Sequence, residues 1–120
     1  MKLSVITPSF NQAQFLPVNL ASLNAQTYYS VEHIVVDPGS TDGSTAIAKK
    51  DPSAILIVEP DRGQSDGICK GFSRSTGDVL AWLNSDDFYP NDQVLESVAC
   101  CFHENPEIDI VYGDVNFVDE

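Results

Sequence analysis

Short apolar runs alternate along the chain with longer stretches in which apolar residues recur every three or four positions. The short runs are KLSVIT (2–7), EHIVVD (32–37), AILIVE (54–59), DVLAWL (78–83) and IDIVYG (108–113). Their length and Val/Ile content predict strands. Val79 to Leu83 is apolar throughout, which reads as a strand buried on both faces, with Trp82 in the core. Between the strands lie helical patterns. Residues 12–26 place Phe15, Leu16, Leu20 and Leu23 on one face, with Pro17 in the first turn, where its missing N–H costs little. Residues 44–50, 65–75 and 92–104 are further helix candidates. The alternation predicts one α/β domain over residues 1–120, with a mainly parallel sheet flanked by helices. There is no internal repeat, low-complexity segment or linker.

In such sheets ligands sit at the carboxyl ends of the strands. Four of those ends read TPSFNQ (7–12), DPGSTDGS (37–44), EPDRGQSDG (59–67) and NSDD (84–87). Gly, Ser, Asn and Asp are turn formers, so one such loop says little. Four at one edge of a sheet point to a polar site.

Charge adds to this picture. Eighteen acids against six bases give a formal charge of −12. That argues against nucleic acid as a partner, because phosphate binding needs Lys and Arg. It suits a protein that holds cations, although an acidic soluble surface gives the same total. No apolar run reaches the length of a membrane span, and Pro8 and Asn11 interrupt the short apolar start. Cys69, Cys100 and Cys101 form neither a metal-ligand spacing nor a disulfide framework, which reads as buried thiols in a reducing cytoplasm. His33 and His103 share no spacing with other ligands. Asp86 and Asp87 stand out, because adjacent carboxylates repel and no Lys or Arg lies nearby in sequence. Either they sit idle in solvent, or they begin the next helix and favour its N-terminal dipole, or a cation comes to them.

The motifs VITPSFNQ, IVVDPGSTDGS, PDRGQSDGICKGF, GDVLAWLNSDD and VYGDVNFVDE occur in that order. As a set they resemble the N-terminal half of a family 2 glycosyltransferase. The resemblance implies a Rossmann-like GT-A nucleotide-binding fold. It also implies a nucleotide-sugar donor, a UDP-sugar in the first instance, a saccharide or lipid-linked acceptor, and a divalent metal, Mn2+ or Mg2+. Members typically invert the anomeric centre. The implied location is cytoplasmic, or peripheral at the inner face of the membrane.

Carried onto this chain, the resemblance assigns Asp87 to the metal and Asp86 to the nucleotide or the metal. Asn84 stands where members have the first Asp of an Asp-any-Asp motif. Thr7, Pro8 and Asn11 follow the first strand, in a loop that members place against the nucleotide; an ordinary helix cap is the competing reading. Asp37 is placed to accept from the base or ribose. Gly39 and Gly43 permit positive φ in a tight turn, and Ser44 reads as a helix cap. Many members carry a second acid after Asp37 that holds uracil; Pro38 stands there and leaves the base open. Arg62 suits a diphosphate, since guanidinium binds it bidentately. Asp66 is a nucleotide contact or a partner of Arg62. Lys70, four residues on, reads as an i,i+4 partner of Asp66.

The rival to an enzyme is a binding module: a nucleotide and metal domain without turnover, or an acidic receiver-type signalling domain. A receiver needs a Lys after a later strand, and no Lys or Arg follows Arg74. The catalytic base has no assignment. Asp114 is a weak candidate, with Asp119 and Glu120 the other late carboxylates. The resemblance implies that residues 1–120 are the N-terminal part of a longer domain whose second half holds the acceptor site and base. On that reading this stretch alone transfers no sugar.

Overall fold

The computed structural model describes residues 1–118. Its order is β1 (Leu3–Pro8), α1 (Leu16–Asn24), β2 (Val31–Asp37), α2 (Ser44–Lys49), β3 (Ala54–Val58), α3 (Gln64–Arg74), β4 (Val79–Trp82) and α4 (Val94–Glu104). All ladders are parallel and the strand order is β3-β2-β1-β4. The α/β parallel-sheet expectation holds. The sequence reading places four strands to within about two residues, while α1 begins four residues later than the pattern suggests. Residues 13–15 form a turn instead, and the Gln12 carbonyl accepts from the amides of Phe15 and Leu16. Pro17 sits in the first helical turn as expected.

Side chains alternate across the sheet. Leu3, Val5 and Val35 face α1, α2 and α4, where they pack with Leu16, Leu20, Leu23, Ala48, Leu95 and Ala99. Ile6, Ile34, Val36 and Ile57 face the other way, toward Phe72 of α3. Among the described helices, only α3 lies over that second face. Gly71 makes the close approach possible: a Cβ built there would lie 2.4 Å from Ile6 Cγ2. Gly71→Ala gains helix propensity of about 1 kcal/mol but overpacks this contact at about 1–3 kcal/mol. A net loss in urea stability is expected, relieved by Ile6→Ala in the same background. An unchanged unfolding midpoint in Gly71→Ala would show that α3 lifts off without cost.

Three expectations fail. No strand forms at 108–113: the segment has no ladder partner among the described residues, and Ile110 and Tyr112 are 79% and 92% exposed. β4 is not buried on both faces. Among the described residues it pairs with β1 on one side only, and Leu80 and Trp82 lie exposed. All three cysteines are exposed rather than buried, Cys100 and Cys101 on the outer side of α4.

Candidate functional site

The connections β1→β2→β3 run to one side of β1, and β3→β4 returns to the other. The strand order therefore reverses between β1 and β4, where a parallel sheet opens a crevice at its carboxyl edge. All four expected loops lie at that edge, because all four strands point the same way.

The loops after β1 and β2 are tied into one unit. Asn11 adopts left-handed backbone (φ 53°), which Asn tolerates. Its amide donates to Ser40 Oγ at 2.9 Å, and its side-chain oxygen accepts from the Thr41 amide at 2.9 Å. Gln12 N–H donates to Ser44 Oγ (3.1 Å) and Ala13 N–H to Asp42 Oδ2 (2.9 Å). The Ser44 hydroxyl, then the Ala13 amide, hold the Asp42 carboxyl below its usual range. Ser44 is the first residue of α2 rather than a side-chain cap; Gly43, at φ 95°, occupies the cap position. Asp37 is buried, and its Oδ1 accepts from the amides of Gly39 (2.8 Å) and Ser40 (2.7 Å). Thr7 is buried as well, its hydroxyl 2.7 Å from His33 Nε2. Pro8 ends β1, half-buried. Thus Thr7, Asn11 and Asp37 all have protein partners that shape the loops.

The loop after β3 carries Asp66, whose Oδ2 accepts from the Arg62 amide at 3.0 Å. That bond, then the Lys70 and Arg62 charges, lower the Asp66 carboxyl. Lys70 forms the expected i,i+4 pair with Asp66 at 3.7 Å, and it also donates to the Pro60 carbonyl. The Arg62 side chain is exposed at the same edge, in no ion pair among the described residues.

Asp86 and Asp87 lie in the turn after β4 and are exposed. α4 starts only at Val94, so they do not serve its N-terminus. Among the described residues neither has an ion pair. Partial burial, and then the Asp86 charge, push the Asp87 carboxyl above its usual range, against a hydrogen bond from the Asn84 side chain. Two hard, uncompensated oxygen donors of this kind fit Mg2+ or Mn2+, which keep several waters and need one or two carboxylates. No group of three or more His, Cys, Asp or Glu among the described residues forms a fuller metal cage. Asp114 lies in the exposed segment after α4, in no secondary structure. Asp119 and Glu120 lie outside the described residues.

Sequence reasoning missed Asn19 and Ser9. Asn19 is fully buried on α1, and its amide donates to the carbonyls of Asn84 (3.0 Å) and Asp87 (3.1 Å). It fixes the acidic turn against the first helix. The available signal was a polar residue on the apolar stripe between Leu16 and Leu23. Ser9, just past β1, is buried, with its hydroxyl unpartnered among the described residues. No helix among the described residues is long and apolar enough to cross a membrane.

The profile of glycosyl transferase family 2 matches residues 4–119. A PGL/p-HBAD biosynthesis glycosyltransferase of Mycobacterium bovis is 35% identical over 117 residues, covering 93% of this chain and 46% of the relative. An uncharacterized glycosyltransferase of Nostoc sp. is 31% identical over 131 residues, covering all of this chain and 40% of the relative. The chain thus spans less than half the length of these relatives. Among solved structures, S. aureus TarS 1–349 in complex with UDP-GlcNAc superposes with a TM-score of 0.76 at 26% identity, over 88% of this chain and 32% of that one. The mannosyltransferase PcManGT from Pyrobaculum calidifontis, in complex with GDP-Man and Mn2+, gives a TM-score of 0.78 over 84% and 32% of the two chains; at 24% identity this likeness concerns the fold. The sheet order, the crevice with its four polar loops, and a profile match over almost every residue agree: the chain belongs to glycosyl transferase family 2, with a GT-A fold.

Proposed function

We propose that the chain is the donor-binding portion of a metal-dependent glycosyltransferase that moves a sugar from a nucleotide-sugar to a hydroxyl acceptor, with inversion. The observation that carries this reading is the uncompensated Asp86–Asp87 pair beside the crevice between β1 and β4. Asp87, with Asp86, would hold Mn2+ or Mg2+. When bound there, such an ion supplies charge stabilisation to a diphosphate leaving group. The chain's own residues do the rest of the donor binding. Arg62 supplies a planar donor fork suited to phosphate oxygens. The linked loops of Asn11, Asp37 and Asp42 give a rigid floor for the nucleoside, and the unpartnered Ser9 hydroxyl lies at the same strand end. The loop order and the TarS likeness, a protein solved with UDP-GlcNAc, support a nucleotide-sugar donor. The acceptor is a saccharide or lipid-linked hydroxyl, and its base belongs to residues not placed at this crevice.

The test is calorimetric titration with UDP, GDP, CDP and dTDP, each with Mn2+ and with EDTA. Binding with Mn2+ and much weaker binding in chelator are expected. UDP ranks first, with selectivity less strict than an acid at position 38 would give. Equal binding in chelator would remove the metal from the proposal. Exclusive UDP binding would move uracil recognition to Asp37 or Asp66.

A further inference from the structure

Asn84 differs from the acid that the resemblance leads one to expect, and the structure gives its amide a full set of partners. The side-chain oxygen accepts from Gln64 Nε2 at 2.6 Å, at the first residue of α3. The same oxygen accepts from the indole N–H of Trp82 at 3.1 Å, at the last residue of β4. With its oxygen facing two N–H donors, the amide's nitrogen is turned toward Asp87, whose carboxylate it hydrogen-bonds. The backbone carbonyl of Asn84 accepts from the Asp87 amide (3.0 Å) and from buried Asn19 of α1 (3.0 Å). One residue therefore joins β4, α3, α1 and the acidic turn.

We infer that Asn84 is a positioning residue: its amide is held by Gln64 and Trp82 at one end so that the other end aims the Asp87 carboxylate into the crevice. This rests on the reading of Asp87 as metal ligand given above. The chemistry explains why an amide suits the position. An Asp at 84 keeps the acceptor for Gln64 and Trp82 but loses the donor to Asp87. It also sets a third negative charge beside Asp86 and Asp87. If Asn84 were instead a weak ligand standing in for an acid, Asp would be the better residue.

Mn2+ affinity, measured by electron paramagnetic resonance at saturating UDP or whichever nucleoside diphosphate the panel selects, separates the two. Asn84→Asp and Asn84→Ala should each weaken Mn2+ binding by about ten- to a hundredfold, the range of one hydrogen bond to a charged group and of an orienting partner of a metal ligand. Nucleotide binding in EDTA should stay the same, which general damage to the fold would not leave intact. Gln64→Ala and Trp82→Phe should each weaken Mn2+ binding by about two- to fivefold, and neither should add to Asn84→Ala, because the three act through one amide. Tighter Mn2+ binding by Asn84→Asp, or wild-type affinity in both Gln64→Ala and Trp82→Phe, overturns the inference. Hydrogen exchange at the Asp87 amide gives a readout without metal. It should quicken in Asn84→Ala and in Gln64→Ala. If the wild type binds no Mn2+, the metal reading falls, and this exchange result still decides whether the clamp exists; unchanged exchange in both variants overturns it.

Discussion

Asp87→Asn removes most of the Mn2+-dependent part of nucleoside diphosphate binding, and does so without loss of fold stability. That is the expected result, and the two halves have one cause. Partial burial, and then the Asp86 charge, oppose ionisation of Asp87. In the metal-free protein an amide relieves that opposition, so thermal unfolding without metal should occur at the same or a higher temperature. With metal, the lost carboxylate cannot be replaced. Partners that merely orient a metal ligand cost about 10–100-fold when removed, so the ligand itself should cost at least about tenfold. The measurement is the Mn2+-against-EDTA difference in UDP or GDP affinity for wild type and variant. An undiminished difference in Asp87→Asn sinks the metal assignment of this residue, and Asp86→Asn then becomes the next variant to measure.

Acidification from pH 7 to pH 4.5 should cost much of the protein's stability, with His33 the main cause. Burial depresses the His33 imidazole from 6.5 to about 4, with only partial opposition from Asp51. The neutral ring meets the Thr7 hydroxyl inside the layer beneath α1. The native state therefore refuses a proton that the unfolded chain accepts below pH 6.5. Stability is level above about 6.5, falls as pH drops toward 4, and has no further His33 contribution below that. The full difference is about 3 kcal/mol, at 1.36 kcal/mol per unit. Glu32, Asp42 and Asp66 have lowered carboxyls, so their contributions disappear only at still lower pH. Asp87, with a raised carboxyl, acts in the opposite direction and recovers a little stability on acidification. Urea unfolding at intervals from pH 7.5 to 4.5 tests this against His33→Gln, which keeps a polar group for Thr7 but does not titrate. The variant should be nearly flat across the window. The same slope in both proteins would assign the acid sensitivity elsewhere.

The chain's pattern showed the sheet well because every observed strand is a short, mostly apolar run, and a parallel sheet imposes that signature on its members. It showed the ligand edge for the same reason: four parallel strands must deliver their carboxyl-end loops to one side. What it could not show was partnership. The run at 108–113 has the composition of a strand, yet without a ladder partner among the described residues it is exposed coil. Val79 to Leu83 has the composition of a central strand, yet among the described strands it lies at an edge with Trp82 open to solvent. Composition reports what a segment can bury, and only the assembled sheet decides how much it does. At the site, the identities of Asp86, Asp87 and Arg62 were legible because charge at a turn is conspicuous. The roles of Asn19 and Asn84 were not, since an amide's value lies in which groups its two ends meet.

The central place of β1 in the sheet has a consequence for how the molecule is made. Leu3 pairs with Val31 on one side and with Val79 on the other. β1 thus gains one neighbour early and the other only after more than seventy further residues have been synthesised. Until then its far side is a row of unpaired amides and carbonyls. Joining β4 closes a loop of more than seventy residues, a long-range step that comes late because its entropy must be lost before the contact repays it. The turn that carries Asp86 and Asp87 follows β4 directly, and it takes its shape from bonds to α1 and α3. Among the described strands, the acidic end of the crevice is therefore the last part of the sheet edge to be assembled, and a chain that has not yet joined β4 has the proposed nucleoside floor without the acidic pair proposed to hold a cation.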